Sequence, residues 1–450
     1  MNVPNSFLSG VVEGFYGRPW NPSQRRQLFE WLRIAGLNAY LYAPKDNIKH
    51  RALWREPYDP TEAAGLRSLI DDCAAAGIEF VYALSPGLDI RFTQPDDLAA
   101  LEAKLHQAQE LGAAHLAVLW DDLAPGLSPE DARHYSSPAA AHCAVSNRVL
   151  PSVRARRPGT RLLFCPTIYC AAFAQGKVPE NDYLRTVGKD LDPAIEVLWT
   201  GPEIISETIS VASIRELAAV IRRQPMLWDN LPANDYDMRR LHLGPYSGRP
   251  AELRAELTGI LLNPNCQFEA NYVGIRTLGD YVRPGTPPAP RTAYRQALEA
   301  WLPSFATRGR ASMTLEDLQR LGDVFHLPTA FGERAQRYLD DVQALLRLPP
   351  DQWGETLARF EQANRDFAGL YDKITELTDR DLCHALYAHV WELKETTQLL
   401  AAWVRWRRGN PESTEAFASG EFRPRIWRGG LTALLDRLLP IDEHGKFHPT

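Results

Sequence analysis

Between Ser9 and about Arg283 the sequence alternates short apolar runs with longer stretches of helical period, and each apolar run breaks off in a polar or aromatic cluster. The runs predict strands at Gly10–Val12, Ala39–Tyr42, Glu79–Tyr82, His115–Trp120, Arg161–Phe164, Glu196–Trp199, Met226–Trp228 and Gly259–Leu262. The stretches between them carry one apolar face each: Leu28, Trp31, Leu32 and Ala35 in the first, and Leu98, Leu101, Leu105 and Ala108 in a later one. Such alternation builds a parallel sheet, and eight units of it predict an α/β fold of the (β/α)8 TIM-barrel type. In that fold the loops after the strand C-termini form one rim. The clusters that fall there are Glu13-Gly14-Phe15-Tyr16, Pro44-Lys45-Asp46-Asn47, Ser85-Pro86-Gly87, Asp121-Asp122, Cys165-Pro166-Thr167, Thr200-Gly201-Pro202, Asp229-Asn230 and Asn263-Pro264-Asn265.

The Pro- and Gly-rich stretch Arg283–Pro290 closes this pattern, and beyond it apolar residues recur at three- and four-residue spacing. A catalytic barrel over residues 1–285 and a C-terminal α-helical bundle over 286–450 are therefore expected, a division that suits 450 residues. Predicted helices of the second part run from Tyr294 to Phe305, Thr314 to Phe325, Gly332 to Leu346, Trp353 to Leu377 and Asp379 to Trp406. A net charge of −6 offers no global basic field for a polyphosphate, so no nucleic-acid partner is expected. No run approaches the roughly 20 apolar residues that span a bilayer, so no membrane partner is expected either. Met1–Ser6 shows neither a basic start nor a long apolar run, which leaves no export signal in view and predicts a cytoplasmic enzyme. The six cysteines form no CxxC pair and read as reduced, mostly buried thiols.

Two adjacent acids after an apolar strand, Asp121 and Asp122, are costly to bury without a function, and a pair sharing one desolvated pocket would split into a carboxylate and a neutral acid. That division suits glycosidic cleavage. On the same rim Lys45, Asn230, Asp235 and Asn263 are of the kind that grip sugar hydroxyls, while Tyr16, Tyr169, Phe173, Trp199 and Trp228 offer flat faces for a pyranose ring or an acetyl methyl. Dinucleotide and P-loop motifs are absent from the sequence, as is HExxH, and His384 and His389 are spaced to splay apart on a helix. Neither a cofactor nor a metal is expected.

The rim motifs Gly10-Val-Val-Glu-Gly-Phe-Tyr-Gly-Arg-Pro-Trp20, Tyr40-Leu-Tyr-Ala-Pro-Lys-Asp46, Trp120-Asp-Asp122, Phe164-Cys-Pro-Thr167, Leu198-Trp-Thr-Gly-Pro202, Trp228-Asp-Asn230, Ala233-Asn-Asp-Tyr-Asp237 and Asn263-Pro-Asn-Cys266 resemble, in order, those of family 84 glycoside hydrolases, the O-GlcNAcases and related β-N-acetylglucosaminidases. The resemblance implies substrate-assisted retaining hydrolysis. Asp121 would polarise the acetamido N–H while its carbonyl oxygen attacks the anomeric carbon, and Asp122 would protonate the leaving oxygen and then activate water, through an oxazoline intermediate. It further implies that Gly14, Lys45, Asp235 and Asn263 hold ring hydroxyls and that Asn230 supports the acetamido group or Asp121. Tyr169 would hydrogen-bond near the acetamido or leaving oxygen, Cys165 and Trp228 would line the methyl pocket, and Phe173 would flank the aglycone entrance. Substrates would be GlcNAc-bearing glycoproteins, glycopeptides or oligosaccharides, cell-wall fragments among them, and the helical part would resemble the family's stalk, which pairs across a homodimer in some members. Two other readings stand beside this one: a retaining enzyme whose own nucleophile, Glu13 or Asp229, faces Asp122 at roughly 5 Å, and a sugar-binding barrel that does not hydrolyse.

Overall fold

The computed structural model describes residues 7–447 apart from 125, 310–311, 419–428, 439, 441 and 443; Met1–Ser6, read above for an export signal, lie outside the described residues. Eight parallel strands, β1 (Leu8–Glu13), β2 (Ala39–Tyr42), β3 (Glu79–Leu84), β4 (His115–Leu119), β5 (Leu162–Cys165), β6 (Ile195–Trp199), β7 (Met226–Asp229) and β8 (Gly259–Leu262), close into a barrel in sequence order. Closure is made by β1 against β8, with Leu8 opposite Gly259 and Val11 opposite Leu262. The expected (β/α)8 barrel is the observed fold. The strands read as almost unbroken apolar runs because both their faces are covered. Leu8, Val12, Leu41, Val81, Ala117, Leu119, Leu163, Leu198, Met226 and Leu261 pack together as one core cluster.

Local signals set the helix ends. Pro22–Ala35 starts at Asn21, whose side chain and Gln24 make a reciprocal capping box, and stops at Gly36 in the left-handed conformation. Pro60–Ala75 repeats the device with Asp59 and Glu62. Helices Pro95–Glu110, Pro138–Arg156, Asp182–Asp190 and Val211–Ile221 follow β3 to β6, but β7 and β8 are joined through a short 3-10 helix, Ala251–Glu256, in place of an α-helix.

The chain forms two compact units. The first runs to Asp235 and takes in Tyr246–Cys266 and Ile275–Pro288; the second holds Tyr236–Pro245, Gln267–Gly274 and the chain from Ala289 on. The second unit is helical, with Pro290–Trp301, Leu315–Val324, Glu333–Arg347, Gly354–Thr375, Arg380–Gly409 and Gly430–Leu438 packed on a core that includes Trp301, Leu321, Leu345, Phe367, Leu386 and Trp403. No helix among the described residues is long and apolar enough to cross a membrane.

Candidate active site

Trp120 directly follows strand β4, and three contacts fix where the two aspartates leave the barrel. The Trp120 N–H donates to Cys165 O at 2.9 Å, its carbonyl accepts from the Thr167 hydroxyl at 2.7 Å, and its indole stacks on the His142 ring with centroids 4.5 Å apart. From this anchor the two acids diverge. Asp121 turns inward and is buried, whereas Asp122 adopts φ +53°, a left-handed backbone that a non-glycine residue keeps only when its surroundings demand it, and remains exposed. The single desolvated pocket that their adjacency suggested is therefore not formed.

Asp121 meets a cation. The Lys45 ammonium, delivered by the loop after β2, donates to Asp121 Oδ2 at 2.5 Å, and both side chains are buried. Burial alone pushes a carboxyl up, yet the Lys45 charge and hydrogen bond outweigh it and hold Asp121 below the ordinary carboxylate range. Its other oxygen, Oδ1, is buried with no hydrogen-bond partner among the described residues. Next to this pair His50 is pushed down to about 3, by burial first and then by Lys45, so it stays neutral.

Asp122 is held by two phenols and a guanidinium. The Tyr169 hydroxyl donates to Oδ1 at 2.9 Å and the Tyr16 hydroxyl donates to Oδ2 at 3.0 Å. Arg51 donates to the Tyr16 oxygen at 2.7 Å and to the Asp122 carbonyl at 3.0 Å. Burial foremost, with the Asp122 charge adding, raises both phenols well above the usual tyrosine range, so both keep their protons at any working pH.

The remaining rim residues form walls. A Cβ on Gly14 would lie 2.3 Å from the Trp228 ring, so only glycine lets the end of β1 pass that indole. Lys45 Nζ lies 6.0 Å from the same ring. Cys165 is buried, and burial, with Asp121 adding, drives its thiol far up, which makes it a lining group and not a nucleophile. Phe173 is exposed and packs on Tyr169 at 4.9 Å between centroids. Asp235 accepts the Tyr16 N–H at 2.9 Å. Asn263 donates to Asn230 Oδ1 at 2.9 Å, and Asn230 donates to Ile204 O at 2.8 Å, which leaves the buried Asn263 Oδ1 without a partner among the described residues. Trp199, by contrast, is only 2 % exposed and offers no face to a ligand.

The reading with a nucleophile on the enzyme fails on burial and pairing. Glu13 is fully buried and accepts from Arg25 at 2.7 and 2.9 Å, from the Trp20 N–H at 3.1 Å and from the Tyr40 hydroxyl. Asp229 is fully buried too, clamped by Arg249 at 2.6 and 2.7 Å and by the Tyr246 hydroxyl at 2.8 Å. Neither carboxylate has a lone pair turned to a substrate. In the sequence Tyr16 reads only as a flat ring and Arg51 does not stand out, although Arg51 shares one strand-end loop with Lys45 and His50. Among the described residues no group of three or more His, Cys, Asp or Glu side chains could hold a metal ion.

Residues 9–316 match the family described as beta-N-acetylglucosaminidase, and the chain belongs to it: it is a glycoside hydrolase of family 84. The chain is 29 % identical to the protein O-GlcNAcase of Rattus norvegicus, and equally to that of Mus musculus, over 97 % of its own length and 70 % of theirs. Among solved structures it resembles a mutant of the Thermobaculum terrenum O-GlcNAc hydrolase, with a TM-score of 0.79 and 27 % identity over 89 % of this chain and 84 % of that one.

Proposed function

We propose that this β-N-acetylglucosaminidase removes terminal β-linked GlcNAc, including GlcNAc on Ser and Thr of proteins, with retention and through an oxazoline formed by the substrate's own acetamido group. One observation carries the reading. Asp121 is a buried carboxylate whose Oδ2 is taken by Lys45 and whose Oδ1 is an acceptor without a donor, which is what an acetamido N–H requires. A charge fixed there stabilises the oxazolinium as the carbonyl oxygen bonds to the anomeric carbon. Asp122, exposed and hydrogen-bonded through both oxygens, protonates the leaving oxygen and then takes a proton from the incoming water.

Around this pair Gly14, Asp235 and Asn263, with the spare protons of Lys45, bind ring hydroxyls. Asn230 orients Asn263, Cys165 and Trp228 enclose the acetyl methyl, and Tyr169 and Phe173 border the leaving-group side. The proposed substrates are GlcNAc-bearing proteins, in keeping with the O-GlcNAcases the chain resembles. The proposed compartment is the cytoplasm, where six free cysteines are stable, and the proposed assembly is a homodimer through the helical unit.

The test uses aryl β-N-acetylglucosaminides of graded leaving-group ability. Asp122→Ala should lose most activity on poor leaving groups and keep most of it on dinitrophenol, and a GlcNAc thiazoline should inhibit the parent enzyme strongly. Equal loss on good and poor leaving groups, or a trapped glycosyl-enzyme adduct, would sink the mechanism. Turnover of O-GlcNAc peptides against chitobiose and muropeptides decides the natural aglycone.

A further inference from the structure

The two phenols on Asp122 are not equivalent. Arginine can only donate hydrogen bonds. Because Arg51 donates to the Tyr16 oxygen at 2.7 Å, the hydroxyl proton of Tyr16 is directed to Asp122 Oδ2. The second Arg51 nitrogen holds the Asp122 carbonyl at 3.0 Å, so one buried guanidinium fixes both the strained backbone turn and the phenol beneath its carboxylate. The Tyr169 hydroxyl is different: its bond to Asp122 Oδ1 is the only one it makes among the described residues. It is free to turn elsewhere.

We propose that Tyr16, locked by Arg51, stays on Oδ2 throughout the reaction, while Tyr169 gives up Oδ1 when the sugar binds, so that Oδ1 is the oxygen that carries the catalytic proton. The inference rests on the reading of Asp122 as acid and base. In the first half-reaction the Oδ1–H bond breaks as the glycosidic oxygen takes the proton together with the electron pair of the breaking bond to the anomeric carbon. In the second, water adds its oxygen to that carbon, the oxazoline C–O pair returns to the acetamido oxygen, and the water proton goes to Oδ1. Arg51 and Tyr16 are then positioning residues that hold one carboxylate oxygen so that the other can work.

The charged and titratable groups facing Asp122 are Asp121 beside it, Lys45 and Arg51 from the loop after β2, Tyr16 after β1, and Tyr169 and Cys165 after β5. A Tyr→Phe change removes none of these other charges, although in Tyr16→Phe one Arg51 nitrogen also loses the oxygen it donates to. A phenol donating to a carboxylate favours its ionised form, so deleting the phenol makes the acid keep its proton to higher pH. A hydrogen bond to a charged group is worth enough to move that limb by about one pH unit.

The experiment is a pair of pH profiles on a poor leaving group, for which the first chemical step limits the rate. In kcat/KM, which reports the free enzyme, Tyr16→Phe and Tyr169→Phe should both move the upper limb to higher pH. In kcat, which reports the bound complex, only Tyr16→Phe should move it, with kcat falling about tenfold on the poor leaving group and little on dinitrophenol. Arg51→Met should reproduce the Tyr16→Phe shift, and thermal melts of each variant separate this from misfolding. A kcat limb that moves as far in Tyr169→Phe as in Tyr16→Phe, or that moves in neither, overturns the assignment of Oδ1. If Asp122→Asn itself turns over the poor leaving group, the acid-base reading fails and the inference falls with it.

Discussion

Lys45 and Asp121 decide the charge on which the proposed chemistry depends. A buried carboxylate without its cation would drift toward the neutral form, because burial is the largest influence on Asp121 and only Lys45 and its hydrogen bond reverse it. The sign is therefore fixed: Asp121 is held low and stays ionised as pH falls until its own depressed range is reached. Lys45→Met should raise that range and move the acid limb of kcat/KM upward, most visibly with a dinitrophenyl substrate that needs no protonation. An acid limb that does not move would mean that Asp121 is not the group titrating there. Asp121→Asn keeps the shape and removes the charge, and should lower kcat by about a hundred- to a thousandfold with a smaller change in KM. A rise in KM alone would reassign Asp121 to binding. At Gly14, addition of a methyl must displace the buried Trp228 ring it would meet at 2.3 Å, so Gly14→Ala should weaken sugar binding and also lower the melting temperature.

Strand β7 shows how an acid at the barrel rim can serve the element and not the reaction. Asp229 is fully enclosed, accepts a two-point contact from Arg249 and a phenol from Tyr246, and thereby ties the loop 246–249 to the strand end. Removing one partner of such a buried pair costs about 3–5 kcal/mol. Asp229→Asn should lower the melting temperature by several degrees, and its residual activity should show the parent's leaving-group dependence; a trapped intermediate lost in this variant would argue for a nucleophile after all. The sequence sets Asp121 apart from Asp229 by its adjacent partner Asp122 and leaves Asp229 open as an alternative nucleophile, since the Arg249 that occupies it lies 20 residues away in a stretch without periodicity. The strands were legible because burial on both faces makes them unbroken apolar runs, and the helices because their stripes repeat and their caps are spelled out, as at Asn21 and Asp59. The joining of β7 to β8 through a 3-10 helix was not. Nor was the membership of Tyr236–Pro245 in the helical unit, which rests on main-chain bonds such as Leu243 N to Phe325 O at 2.5 Å and Gly244 N to His326 O at 2.7 Å that no local pattern announces.

Over the whole chain, buried histidines set the response to acid. In the barrel unit His50 and His142 are pushed down to about 3, and in the helical unit His242 is pushed down to about 3 and His389 to about 4, in each case by burial foremost. These rings are neutral when folded and take up protons near the ordinary value of about 6.5 once unfolded. The unfolded chain then binds more protons than the folded one, so stability rises with pH across this window and is lost as pH falls below about 6.5. Each such ring contributes up to about 1.4 kcal/mol per pH unit until its folded value is reached. Carboxylates held low, such as Asp121, Asp131 and Asp317, act in the same direction but at lower pH, where they are protonated in turn. The melting temperature should therefore fall between pH 7 and pH 5, above the range in which Asp121, Asp131 and Asp317 take up protons in the folded protein. His142→Phe should make that fall shallower, because the Phe ring can keep the stack on Trp120 but has no proton to bind on unfolding. Thermal melts at half-unit pH intervals on the parent and on His142→Phe measure both slopes. A midpoint that holds constant from pH 7 to pH 5 in the parent would show that these histidines are not neutral inside the fold, and parallel curves for the two proteins would remove His142 from the account.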